Sequence, residues 1–80
     1  MAIDELEKIF GERKALPTLE QRRLIREAAG LSISDMARAV GVTASAIYYY
    51  ETGARKVSPK YRARYIAALE RCAREVAESE

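Results

Sequence analysis

The sequence predicts an all-α fold of five helices, the last of them long. Three observations carry that reading. Apolar residues recur at helical spacing in five segments. Capping residues, glycines and prolines bracket those segments. No stretch shows sustained strand alternation with hairpin chemistry.

The first helix is expected over about 3–13. Ile3, Leu6, Ile9 and Phe10 form one stripe, and Asp4 and Glu5 sit near the positive end of the helix dipole. Pro17 stops any continuation. The second helix starts after Thr18, which with Gln21 fits a capping box, and Gly30 ends it. Leu19, Leu24, Ile25 and Ala28 are its expected core face. The third begins after the N-cap Ser32, with Asp35 three residues later, and runs to about Val40 before Gly41 breaks it. Met36, Ala37 and Val40 form its buried stripe. The fourth, Ala44–Thr52, has Thr43 as N-cap and Gly53 as its stop. Ile47 and Tyr50 share a face there, so Tyr48 and Tyr49 cannot both join it. The last helix opens at Ser58, an N-cap, with Pro59 at the first helical position, and extends to about Glu78. Tyr61, Tyr65, Ile66, Leu69, Ala73 and Val76 line its apolar stripe. At ~30 Å it is longer than so small a core needs, which leaves part of the stripe for a partner.

The 80 residues fit one domain, with an extra N-terminal helix at 1–15, a core at 18–53 and the long final helix at 58–78. The composition is 49% hydrophobic and 32% charged, which is globular rather than disordered. There is one cysteine, Cys72, and no histidine. That excludes an internal disulfide framework, a zinc finger and a histidine-dependent catalytic triad. No Gly-rich phosphate loop or metal-ligand cluster is present. No catalytic residue, metal or cofactor is therefore expected, and the chain reads as a non-enzyme. The longest apolar runs, 46–50 and 65–69, are far too short to cross a membrane. A reduced, cytoplasmic compartment is expected. Cys72 reads as a small buried hydrophobe, with a redox switch across a dimer axis as the minor alternative.

Charge is unevenly placed. Residues 1–12 carry Asp4, Glu5, Glu7 and Glu12 against Lys8, a net −3. Residues 13–26 reach +4, and 53–69 hold Arg55, Lys56, Lys60, Arg62 and Arg64 with no acid. A basic middle between acidic ends suits a polyanion-binding surface, although a solvated helix face gives the same pattern.

Two short helices joined by Gly41-Val42-Thr43 are the helix-turn-helix arrangement. Ala37 is small enough for close approach, Gly41 permits the turn, and Val42, Ile47 and Tyr50 fill the angle. Such a pair holds its second helix proud of the surface, where a major groove can receive it.

The stretch 24–53 resembles the lambda-repressor/Cro-like family of XRE-type regulators. The matching features are Arg26 four before Gly30, Gly30-Leu31-Ser32, Met36-Ala37, Gly41-Val42-Thr43, Ile47 and Glu51-Thr52-Gly53. The resemblance extends over roughly 19–70 and implies a compact all-helical domain that binds operator DNA as a dimer. The N-terminal and long final helices depart from the family pattern. By this likeness Arg26 and Glu51 form a partly buried ion pair; a phosphate contact is the alternative for Arg26. The base-facing positions fall on Ala44, Ser45 and Tyr49, with Tyr48 beside them. Many relatives place Gln or Arg at the first two, and Gln where Ile33 sits, so readout here is expected to lean on apolar contact with modest specificity. Packing at a domain surface is the other reading of the two tyrosines. Thr43, Thr52, Arg55, Lys56 and Lys60 are expected at the DNA backbone, with the N-termini of the third and fourth helices.

The expected function is sequence-specific double-stranded DNA binding by a small regulator, a repressor, in a bacterial nucleoid or a phage-infected host cell. The expected partners are an operator and a second copy, joined through the last helix, the N-terminal helix or both. A regulatory protein is a further candidate partner. The rival is a protein-interaction module on the same fold, of antitoxin or anti-repressor type. The missing Gln and Arg and the run Tyr48-Tyr49-Tyr50 argue for it.

Overall fold

Local chemistry, a capping side chain or a proline, sets where each helix begins. In the computed structural model, which describes residues 15–79, four α-helices follow one another: α1 Leu19–Ala28, α2 Ile33–Val40, α3 Ala44–Thr52 and α4 Pro59–Glu78. Among the described residues there is no strand, so the all-α expectation holds with four helices instead of five. The helix expected over about 3–13 lies outside the described residues.

At α1 the Gln21 N–H donates to Thr18 Oγ1 at 3.2 Å, and Gln21 Oε1 accepts from the Thr18 N–H at 3.0 Å. At α2 Ser32 and Asp35 repeat the arrangement at 3.0 Å each way. Each pair satisfies two amides that a helix start leaves without partners. Ser58 differs from expectation. It occupies the N-cap position of α4 but makes no side-chain cap bond; Pro59 at the first helical position sets that start through its fixed φ.

Gly41 sets the turn between α2 and α3. Its φ is +86°, and its N–H donates to the Ala37 carbonyl at 2.8 Å. A left-handed backbone is strained for a residue with a β-carbon. After three residues α3 begins, at an angle filled by half-buried Val42 and buried Ile47.

The core draws on α2, α3 and α4. Met36, Val40, Ile47, Tyr65 and Leu69 are the largest fully buried side chains, joined by Ala37, Tyr50, Ile66 and Cys72. Ile25 from α1, Ala29 just beyond it, Leu31 and Val57 pack at its edge. The stripes expected for α2 and α3 are those observed. On α4 the interior is lined by Tyr65, Ile66, Leu69 and Cys72, whereas Ala73 is exposed and Val76 half-buried.

Of the expected face of α1, only Ile25 packs against the core. Leu19 and Leu24 are 42% and 48% exposed, Ala28 is exposed, and the buried residue is Arg26. The reason lies in what α1 meets. Arg22 and Arg26 are four residues apart, hence on one face, and both reach the last turn of α3. Docking that polar face turns Leu24 and Ala28 outward, where with Ile25, Ala73 and Val76 they line an apolar groove between α1 and α4.

Candidate nucleic-acid interface

The outer face of α3 is built by subtraction. Ile47 and Tyr50 point inward, and Tyr50 packs on Tyr65 with ring centroids 5.5 Å apart. Ala44, Ser45, Tyr48 and Thr52 are left exposed, with Tyr49 half-buried at the flank. Successive residues of a helix turn by about 100°, so three consecutive tyrosines take three environments. Tyr48 is 54% exposed and meets Tyr49 edge-on, their centroids 6.0 Å apart at 64°.

The two ends of α3 differ in chemistry. At its start Thr43 Oγ1 accepts from the Ala46 N–H at 3.1 Å, and no acid occupies the first turn. That start keeps its positive end open to an anion. The start of α2 does not. There the Asp35 carboxylate accepts from the Ser32 amide and from Arg38, which together hold it below the usual carboxylate range. A helix start already facing a carboxylate is a poor seat for phosphate, so of the two N-termini expected at a DNA backbone, only that of α3 is electrostatically suited.

At the far end, the Thr52 hydroxyl donates to the Tyr48 carbonyl at 3.0 Å and accepts from the Ala54 N–H at 3.4 Å. Thr52 thus closes the helix, a role its sequence position did not indicate. The Arg55 N–H reaches back to the Tyr49 carbonyl at 3.4 Å. Gly53, at φ +79°, carries the chain away, and a β-carbon there would meet Leu19 Cδ1 at 2.7 Å.

The cations beyond α3 divide by what they touch. The Arg55 guanidinium lies 4.6 Å from the centre of the Tyr49 ring, and the Lys60 ammonium lies 5.4 Å from that of Tyr61. Lys56 is exposed and, with Arg55 and Arg22, lines a groove that also includes Leu16, Leu19 and Val57. The sequence reading grouped Arg55, Lys56 and Lys60 as equivalent loop cations; the side-chain contacts separate them.

Behind the exposed face, Arg26 and Glu51 form a two-point ion pair. Arg26 Nε donates to Glu51 Oε2 at 2.6 Å and Nη2 to Oε1 at 3.0 Å, while Nη1 donates to the Leu31 carbonyl at 2.8 Å. The Glu51 hydrogen bonds raise the Arg26 pKa further, against the desolvation that burial imposes. One turn earlier, Arg22 Nη1 donates to the Tyr50 carbonyl at 2.9 Å, and its Nε to the Pro17 carbonyl at 2.9 Å. A cation at a helix C-terminus also complements the dipole. Sequence reasoning missed Arg22, and its contact lies 28 residues away with no local signal.

Two α-helices joined at a left-handed glycine, the second exposing one whole face, define the class of helix-turn-helix proteins. Residues 21–78 match the family of helix-turn-helix domains, and the chain belongs to that family. The membership is consistent with the XRE-type resemblance of its motifs and points to DNA binding. No curated protein and no solved structure matches the chain. Among the described residues, no helix is long and apolar enough to cross a membrane.

Proposed function

We propose that this protein binds double-stranded DNA sequence-specifically as a small transcription regulator, a repressor of the lambda-repressor-like type. One observation carries the proposal. The helix Ala44–Thr52 turns Ile47, Tyr50 and the Glu51 side chain inward and leaves Ala44, Ser45 and Tyr48 exposed, with Arg55, Lys56 and Lys60 following it in the chain. The apolar edge is matched to a groove floor and the exposed Lys56 to its phosphate walls.

In this reading α3 lies in the major groove. Ala44 contacts a thymine methyl, Ser45 forms one weakly discriminating hydrogen bond, and Tyr48 and Tyr49 offer ring edges and hydroxyls. Thr43, the open start of α3 and Lys56 hold phosphates. Two copies place their α3 helices in successive grooves about 34 Å apart on an operator of two-fold symmetry. Occupancy then blocks polymerase.

Selection of bound sites from random duplexes tests this. Enrichment of a two-fold symmetric site, with affinity that falls steeply between low and moderate salt, supports it. Absence of binding at low salt overturns it. The edge-on pair Tyr48–Tyr49, on a helix with no Gln or Arg, favours a second reading as a protein-interaction module of antitoxin or anti-repressor type. That reading gains if DNA binding fails while the fold is intact.

A further inference from the structure

We infer that Arg55 is a specificity-determining residue that acts through Tyr49, rather than one more phosphate-neutralising cation of the loop. The inference rests on the DNA-binding reading and deepens it. Three contacts converge on the Tyr49 side chain and its backbone. The Arg55 guanidinium lies over the ring at 4.6 Å. The Tyr48 ring meets it edge-on at 6.0 Å. The Arg55 N–H donates to the Tyr49 carbonyl at 3.4 Å, so the backbone turn that delivers the cation is tied to the residue it covers.

The consequence is positional. Ser45 and Tyr49 stand four residues apart, hence on one stripe of α3, and Ala44 and Tyr48 likewise. Of these four, only the tyrosines reach far enough to read beyond the methyl and hydroxyl of the first turn. A free tyrosine on a surface samples several rotamers and loses that freedom on binding. Tyr49, covered by a cation and braced by a second ring, has lost it beforehand. Discrimination that a Gln or Arg would obtain from paired hydrogen bonds comes here from a phenol held in place before contact. A planar guanidinium suits this role. A lysine carries the same charge but stacks less well on an aromatic face.

The experiment uses the full chain and two duplexes: one enriched by the wild-type protein from a random pool, and one of shuffled sequence and equal composition. Affinities for both are measured for the wild type, Arg55→Lys, Arg55→Ala and Lys56→Ala, with Arg55→Ala repeated in a Tyr49→Leu background. Melting midpoints are recorded alongside. Arg55→Lys is expected to leave shuffled-duplex affinity nearly unchanged while the enriched-to-shuffled ratio falls roughly twofold to tenfold. Lys56→Ala is expected to weaken both duplexes equally. In the Tyr49→Leu background, Arg55→Ala is expected to move the ratio no further. A structural role would shift the melting midpoint without moving the ratio. An unchanged ratio in Arg55→Lys and Arg55→Ala, with the wild type preferring its enriched duplex, overturns the inference alone; a wild type that shows no preference between duplexes overturns it together with the sequence-specific reading. A wild type that binds neither duplex at low salt overturns the DNA reading and the inference with it.

Discussion

Arg26 and Glu51 face each other across α1 and α3 with paired contacts of 2.6 and 3.0 Å, their side chains 9% and 5% exposed. At such burial the value of the pair lies less in attraction than in what is left if one member goes. Glu51→Gln leaves a buried guanidinium without its buried countercharge, with only the exposed Glu27 carboxylate, 3.8 Å from Nη2, remaining. The expected loss is ~3–5 kcal/mol. At roughly 4–8 °C per kcal/mol for a domain of this size, the thermal midpoint drops by well over 10 °C. An unchanged midpoint would show that the pair contributes nothing to the fold.

Tyr65 offers the opposite case. Its side chain is fully buried, and its hydroxyl has no hydrogen-bond partner among the described residues. Replacing such a group by hydrogen removes a desolvation cost. Tyr65→Phe is therefore expected to match or exceed the wild-type melting temperature at neutral pH. Burial, with Glu51 nearby, pushes the phenol up to about 12 from an ordinary value of 10.0. Between these values the unfolded chain has released a proton that the folded chain retains. Stability is fully present below pH 10 and falls as pH rises toward 12, by ~1.4 kcal/mol per pH unit. Melts between pH 9 and 12 check this, with a shallower decline expected in Tyr65→Phe.

How much of this could be read from the chain depends on the range of the signal. The caps Thr18–Gln21, Ser32–Asp35 and Thr43 act over three residues, and the glycines act at a single φ, so helix boundaries were legible. The inner face of α3 followed from Ile47 and Tyr50. The orientation of α1 did not. Its sequence offers an apolar face with Leu24 and a basic face with Arg22 and Arg26, and only the carbonyl of Tyr50 and the carboxylate of Glu51 decide between them. The division among Arg55, Lys56 and Lys60 was hidden for a related reason. It depends on the path of the loop after Gly53, which no local propensity specifies.

The turn supplies another test. Gly41→Ala places a β-carbon 3.3 Å from Arg64 Nη1, the end of a flexible side chain that can yield. The backbone at φ +86° cannot yield without moving α3. The expected loss is ~1–2 kcal/mol, set by the left-handed conformation itself. Denaturant melts would measure it. Gly53→Ala should lose at least as much, since it also displaces Leu19.

Cys72 is buried, and burial pushes its thiol up, with Glu75 adding to the effect. Reaction with a disulfide reagent needs the thiolate and access to it. Labelling of the native protein at neutral pH is expected to be slow and to accelerate sharply in denaturant. Rapid native labelling would revive the redox alternative.

The shape of α3 has an evolutionary side. Ala44 and Ser45 are exposed on its first turn, while Ile47, Tyr50 and Glu51 beyond them anchor the rod. If α3 reads DNA as proposed, exchanges at the first two positions alter the contacts it offers while its chassis stays intact. Drift toward new targets is then open to single mutations at those positions, and closed at the anchors that follow them.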